Sequence, residues 1–186
     1  MTFQFKIQLK NISKPPVWRR VLVPAQFSFH GFHLVIQEAF GWENYHLFQF
    51  SPGGFGSSPV IKDPYEDEEY EEFMDAAKTK INEIFKKENQ KFSYIYDFGD
   101  TWEHAITLEK IKPEKTAIAD CIAGKGACPP EDCGGSWGYA NLLEILKNPA
   151  NPEHSEMKEW LGLEDDEEWD IDDFDLEDTA AIVRLV

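Results

Sequence analysis

The 186-residue chain, 42% hydrophobic, is long enough to bury a core without disulfide or metal staples. Its three cysteines, an odd number, argue for reduced thiols or a metal site over a secreted disulfide framework. A net charge of -17, from 35 acidic against 18 basic residues, repels a polyphosphate and disfavours direct nucleic-acid binding. No basic, apolar leader opens the sequence and no apolar run reaches membrane-spanning length, so a cytoplasmic protein is expected. The bases Lys6, Lys10, Lys14, Arg19 and Arg20 gather early, and acids dominate after Asp120.

From Phe3 to Lys10 apolar and polar residues alternate strictly, the period of a half-buried strand. Turn residues run from Asn11 to Pro16, and Val17 to Val23 returns as the second strand of a hairpin. A helix follows, capped by Ser28 or His30, with Phe32, Val35, Ile36, Ala39 and Phe40 on one face and Gly41 closing it. Tyr45 to Pro52 reads as a third strand, before a loop carrying Gly53, Gly54, Gly56 and Pro59. Strand, strand, helix, strand is the opening of a β-grasp-like unit.

Asp63-Pro64 reads as the start of a second helix, with Tyr70, Phe73, Ala77, Ile81, Ile84 and Phe85 at helical spacing and the acids between Glu66 and Asp75 near its positive end. Lys91–Tyr96 and Thr101–Ile111 read as a second hairpin, in which Trp102, His104, Ile106 and Leu108 share the apolar face. Lys112 to Pro130 reads as irregular; Ser136 then caps a helix stopping before Pro149, and Pro152 opens another that ends at Gly162. The acidic tail carries Trp169, Ile171, Phe174 and Leu176 and ends in apolar residues, so it is expected to dock on the body. The fold class is α+β, one domain over 1–186, with a sheet-forming part (1–111) and a loop plus helical part (112–186).

Chemistry concentrates in Tyr96 to His104. Asp97 and Asp100 flank a turn in which Gly99 is expected to take a positive φ, and with His104 they are the candidate catalytic groups. Two carboxylates this close call for a cation, a metal or a shared proton, and Arg19 or Arg20 is the expected cation. The Asp-Phe-Gly triplet lacks the glycine loop and catalytic loop of a kinase. Cys121, Cys128 and Cys133, with His154 beyond them, offer zinc-type ligands, though without a tight C-x2-C pair. His33 and His46 are candidates to meet in space.

These residues carry a resemblance to the Ri-plasmid open-reading-frame-three-like family, members of which are labelled passenger proteins of an insertion element. It rests on Pro15 to Arg20, His33 to Trp42, His46 to Phe50, Tyr96 to His104, Cys121 to Gly124, Ala127 to Asp132, Gly134 to Tyr139, Pro152 to His154, and Trp160. Cys133 departs from the family pattern. The resemblance implies a compact α+β domain with its polar and aromatic motifs on one surface, which makes Trp18, Arg19, Arg20, His33, Trp42, His46, Trp102, Glu131, Asp132 and Tyr139 candidate binding residues. It brings no catalytic residue, substrate or cofactor.

The expected function is that of a binding or interaction module for a protein or small-molecule partner, associated with a mobile element. The alternatives are a metal-binding protein or metal-assisted hydrolase, taking zinc or another divalent metal, and an accessory protein in DNA transposition.

Overall fold

The computed structural model describes residues 1–64, 72–164 and 166–186. Strands β1 (Thr2–Leu9) and β2 (Trp18–Pro24) form the first antiparallel hairpin. Phe3, Phe5, Ile7 and Leu9 are buried on one face, as their alternation requires. The opposite face carries Lys6 and Arg20, each 5.1 Å from the Trp18 ring.

Helix α1 (Phe29–Phe40) starts where Ser28 Oγ accepts the Gly31 amide proton and ends at Gly41, whose φ of 80° lets the chain turn away. Its apolar stripe lies on the sheet, with Phe32 4.6 Å from Phe5 and Phe29 5.0 Å from Phe50, centroid to centroid. Each such buried ring contributes about 2–3 kcal/mol of transfer free energy.

Strands β3 (Phe48–Ser51), β4 (Ile61–Lys62) and β5 (Met74–Asp75), a short helix α2 (Ile81–Ile84), and strands β6 (Lys91–Tyr96), β7 (Trp102–Lys112) and β8 (Asp120–Lys125) follow. Helices α3 (Gly135–Leu146), α4 (His154–Trp160) and α5 (Leu176–Val183) complete the fold. The mixed sheet runs β5-β4-β3-β6-β7-β1-β2-β8, parallel at β4–β5 and antiparallel at its other pairings. The strand-strand-helix-strand opening is present, with β3 joining the sheet beyond β6 and β7.

Three expectations are corrected. Among the described residues 72–80 there is no helix: Met74 and Asp75 pair with Ile61 and Lys62, and helix begins only at Ile81. The remainder of that expected helix and acidic run, 65–71, lies outside the described residues. The stretch expected to be irregular contains β8, whose Cys121 pairs with Val21 and Gly124 with Arg19. The cap of α3 is Gly134, at φ 87° with no side-chain cap, rather than Ser136.

The acidic tail docks as expected. Ala127 N donates to Ile171 O, Trp169 Nε1 to Tyr139 Oη, Ala180 and Val183 are buried, and Arg184 pairs with Asp120 at 2.9 Å. No helix among the described residues is long and apolar enough to cross a membrane.

Candidate metal centre

Beyond the paired ends of β3 and β6, Asp97 N donates to Leu47 O, so His46 and Asp97 leave the sheet side by side. The turn then closes with Thr101 N donating to Asp97 O at 2.6 Å. Positive φ falls on Asp97 (54°) and Thr101 (56°), and Gly99, expected to take it, does not. Strain of this kind on a non-glycine residue is held in place by its surroundings. Here Asp97 Oδ1 accepts from Gly99 N at 2.8 Å, which leaves Oδ2 facing His46 Nε2 at 3.9 Å.

A loop from β8 to α3 covers this end of the sheet. Trp42 Nε1 donates to Pro129 O, Tyr96 Oη and Glu43 N both donate to Glu131, and Gly134 N donates to Asp100 Oδ2. These four bonds set the backbone of Asp132, whose φ is 58°, so that its Oδ1 lies 3.3 Å from His46 Nε2. One ligand atom each from His46, Asp97 and Asp132 therefore lies within 4.8 Å of the others. Among the described residues it is the one such group of three. Asp97 is buried, His46 half-buried and Asp132 exposed, so the cluster has a closed floor and an open mouth.

Burial, reinforced by the Glu131 carboxylate, pushes the Tyr96 hydroxyl pKa well above its ordinary value. Tyr96 thus keeps the proton it donates to Glu131.

The remaining candidate residues lie elsewhere. His104 is fully buried among Phe40, Trp42 and Tyr94, and burial lowers its pKa to about 3. Its Nδ1 faces Trp102 O at 3.0 Å, and neither His104 Nε2 nor Trp102 Nε1 has a hydrogen-bond partner among the described residues. Trp42 and Trp102 are core residues 5.7 Å apart. The cation at the two aspartates is neither arginine. Arg19 is buried and donates to the carbonyls of Trp18, Ala39, Lys125 and Gly126, while Arg20 makes a two-point pair with Glu109 on the outer face. Trp18 shares that outer face.

His33 is locked in the core, with Nδ1 to Tyr94 Oη at 2.8 Å and Nε2 to Asn44 Oδ1 at 2.6 Å. Burial lowers its pKa to about 3. Cys121 sits in the core beside β2, Cys128 and Cys133 lie in the covering loop, and burial raises all three thiol pKa values. His154 lies on α4, facing a cavity with Lys147, Lys158 and Trp169; the cysteines and His154 do not converge as a ligand set. Tyr139 anchors the tail through Trp169. His30 and Asp63, each read from sequence only as a helix start, pair at 2.8 Å; the intervening length of chain hid that pairing.

Residues 1–178 match the family model described as plasmid pRiA4b ORF-3-like protein. The chain belongs to this family. A curated relative, the uncharacterized protein y4hQ of Sinorhizobium fredii, is 38% identical over 167 residues, covering 87% of this chain and 81% of the relative. A crystal structure of a protein of unknown function, MM3350 from Methanosarcina mazei Go1, is similar at a TM-score of 0.79 and 34% identity, covering 95% of this chain and 96% of that one. The Methanosarcina mazei protein thus shares the fold of this chain, and neither relative's name specifies an activity.

Proposed function

We propose that this pRiA4b ORF-3-like protein binds a divalent metal ion through His46 Nε2, Asp97 Oδ2 and Asp132 Oδ1. The observation that carries the reading is the convergence of one imidazole and two carboxylates from three separate segments, two of them held at positive φ. One nitrogen and two oxygens suit zinc or manganese. Three protein ligands at an open mouth leave coordination positions for water or substrate, the pattern of a catalytic site rather than a closed structural one.

Protein purified without chelator and analysed for metals is expected to hold one zinc or manganese per chain, and Asp97→Asn and Asp132→Asn to lose it while remaining folded. A wild-type protein that takes up less than stoichiometric metal on titration would end the proposal. The interaction-module reading keeps support from exposed Tyr45, Leu47 and Phe55; Phe55 lies 5.4 Å from Phe98 of the same turn. Apolar side chains exposed together mark contact surfaces. Tyr45→Ser with Phe55→Ser is expected to abolish capture of a defined partner without affecting metal uptake.

A further inference from the structure

The face of the sheet turned away from α1 reverses the charge of the chain locally. Strands β1, β2 and β8 bring Gln8, Trp18 and Lys125 into one row and Lys6, Arg20 and Ala123 into the next. Helix α1 packs on Phe5 and the tail on Arg19, both on the opposite face. Lys6 and Arg20 stand directly across from each other, a placement of like charges that costs sheet stability. Both lie 5.1 Å from the Trp18 ring. Glu109 is the carboxylate that meets this group, and it is already engaged, accepting two bonds from Arg20 and one from Gln4. Lys6 and the exposed Lys125 make no ion pair among the described residues. Three cations against one carboxylate leave a positive group in a chain of net charge -17. The Trp18 indole N–H, also unpaired among the described residues, is not buried and adds a neutral donor.

We propose that this face binds an acidic peptide segment of a protein partner, with Lys6, Lys125 and the Trp18 N–H donating to its carboxylates and the indole supplying apolar contact. The surface makes no use of the metal cluster. Charge complementarity sets the sign of the ligand, and the extent of the face sets its class. Three strands span about 10 Å, roughly one Debye length at 0.1 M salt, so a few carboxylates fit within the positive field. A nucleic-acid strand would run on over a chain in which 35 acidic residues oppose 18 basic ones. Nor is Trp18 open as a stacking platform for bases, because Lys6 and Arg20 already engage its ring. Arg20, fixed at two points by Glu109, is a positioning residue that holds the indole in place.

The test follows the fluorescence anisotropy of a rhodamine-labelled peptide of alternating Glu and Ser, titrated with the full chain at low and at high salt, with far-UV circular dichroism recorded for each variant. Saturable binding is expected at low salt, weakening as salt rises. Lys6→Glu together with Lys125→Glu should weaken it at least tenfold; both side chains reach solvent, and a glutamate at position 6 faces Arg20, so this variant is expected to fold. Lys86→Glu together with Lys147→Glu changes the net charge by the same amount at exposed positions away from this face and should bind the peptide as wild type does. Trp18→Leu should weaken binding in the same direction as the first pair. No saturable binding at low salt, equal losses in the two double variants, or tighter binding of single-stranded oligothymidine than of the peptide overturns the proposal. A wild-type dimer that the Lys6→Glu, Lys125→Glu variant fails to form, and that the peptide does not displace, overturns it in favour of a second copy of the chain. Each of these results leaves the metal site standing.

Discussion

The Arg19 guanidinium carbon lies 4.2 Å from the centroid of the Phe174 ring, and this contact joins the second strand of the sheet to the acidic tail. The Phe40 ring is 5.2 Å from the same guanidinium. Arg19 is thus a buried cation held by backbone carbonyls and aromatic faces, and burial lowers its pKa.

The space for Phe174 exists because residue 124 is glycine: a Cβ there would lie 2.4 Å from the Phe174 ring. Gly124→Ala is therefore expected to displace the ring and destabilise the protein by about 1–3 kcal/mol. Urea unfolding measures the loss, and limited proteolysis should cut first in the tail between Glu164 and Asp175. A variant as stable and as protease-resistant as wild type would show that the tail does not depend on this slot.

The first hairpin, α1 with both its ends, and the second hairpin were legible because each carries its own period and its own punctuation. His104 was correctly placed on the apolar face by counting in twos from Trp102. The strand β8 was not legible, because what makes Asp120 to Lys125 a strand is its pairing with β2, and Gly124 removes a side chain from the pattern for the sake of Phe174. The helix expected after Asp63 failed for a related reason: Phe73, Ala77 and Ile81 keep helical spacing, yet pairing of Met74 and Asp75 with β4 overrides it. His46, Asp97 and Asp132 were each singled out from sequence. Their conjunction was hidden, since it depends on two positive-φ aspartates and a covering loop far along the chain.

His33 and His104 set the acid limit of the fold. Burial lowers both from an ordinary 6.5 to about 3, so between those values the unfolded chain binds more protons than the folded one. The stability from keeping both neutral is present above about pH 6.5 and is lost as pH falls toward 3. At about 1.4 kcal/mol per pH unit for each group, the two together should cost about 4 kcal/mol between pH 7 and pH 5. Urea unfolding at a series of pH values is expected to show this slope, and His104→Gln should remove about half of it, whatever its baseline stability. An unchanged slope would clear His104 of the effect.

Glu131 holds the loop that presents Asp132, through Tyr96 on one oxygen and the Glu43 amide on the other. Supporting contacts of this kind typically change metal affinity by about 10–100-fold. Glu131→Ala is expected to weaken zinc or manganese binding by that factor in a competition titration, with the sheet intact. Tyr96→Phe removes the same bond from its other end, so the double variant should be weaker than wild type by less than the product of the two single effects. Fully multiplicative losses would mean that the two side chains act independently.

Gly135 decides whether the loop can close at all. It opens α3 at φ 66°, and a Cβ on it would lie 2.3 Å from the backbone oxygen of Asp100, an atom fixed within the tight turn that begins at Asp97. Backbone cannot swing aside as a side chain can, so Gly135→Ala must push the start of α3 and the preceding loop away from the turn. That shift breaks the bond from Gly134 N to Asp100 and carries Asp132 away from His46. The expected result is a folded protein that has lost at least tenfold in metal affinity. Gly162 is the control: it also has positive φ, at 69°, but nothing within 4 Å of a Cβ there. Gly162→Ala should cost about 1 kcal/mol of backbone strain and leave metal affinity at the wild-type value. Equal metal affinity in the two alanine variants would show that closure against Asp100 is not what brings Asp132 to His46.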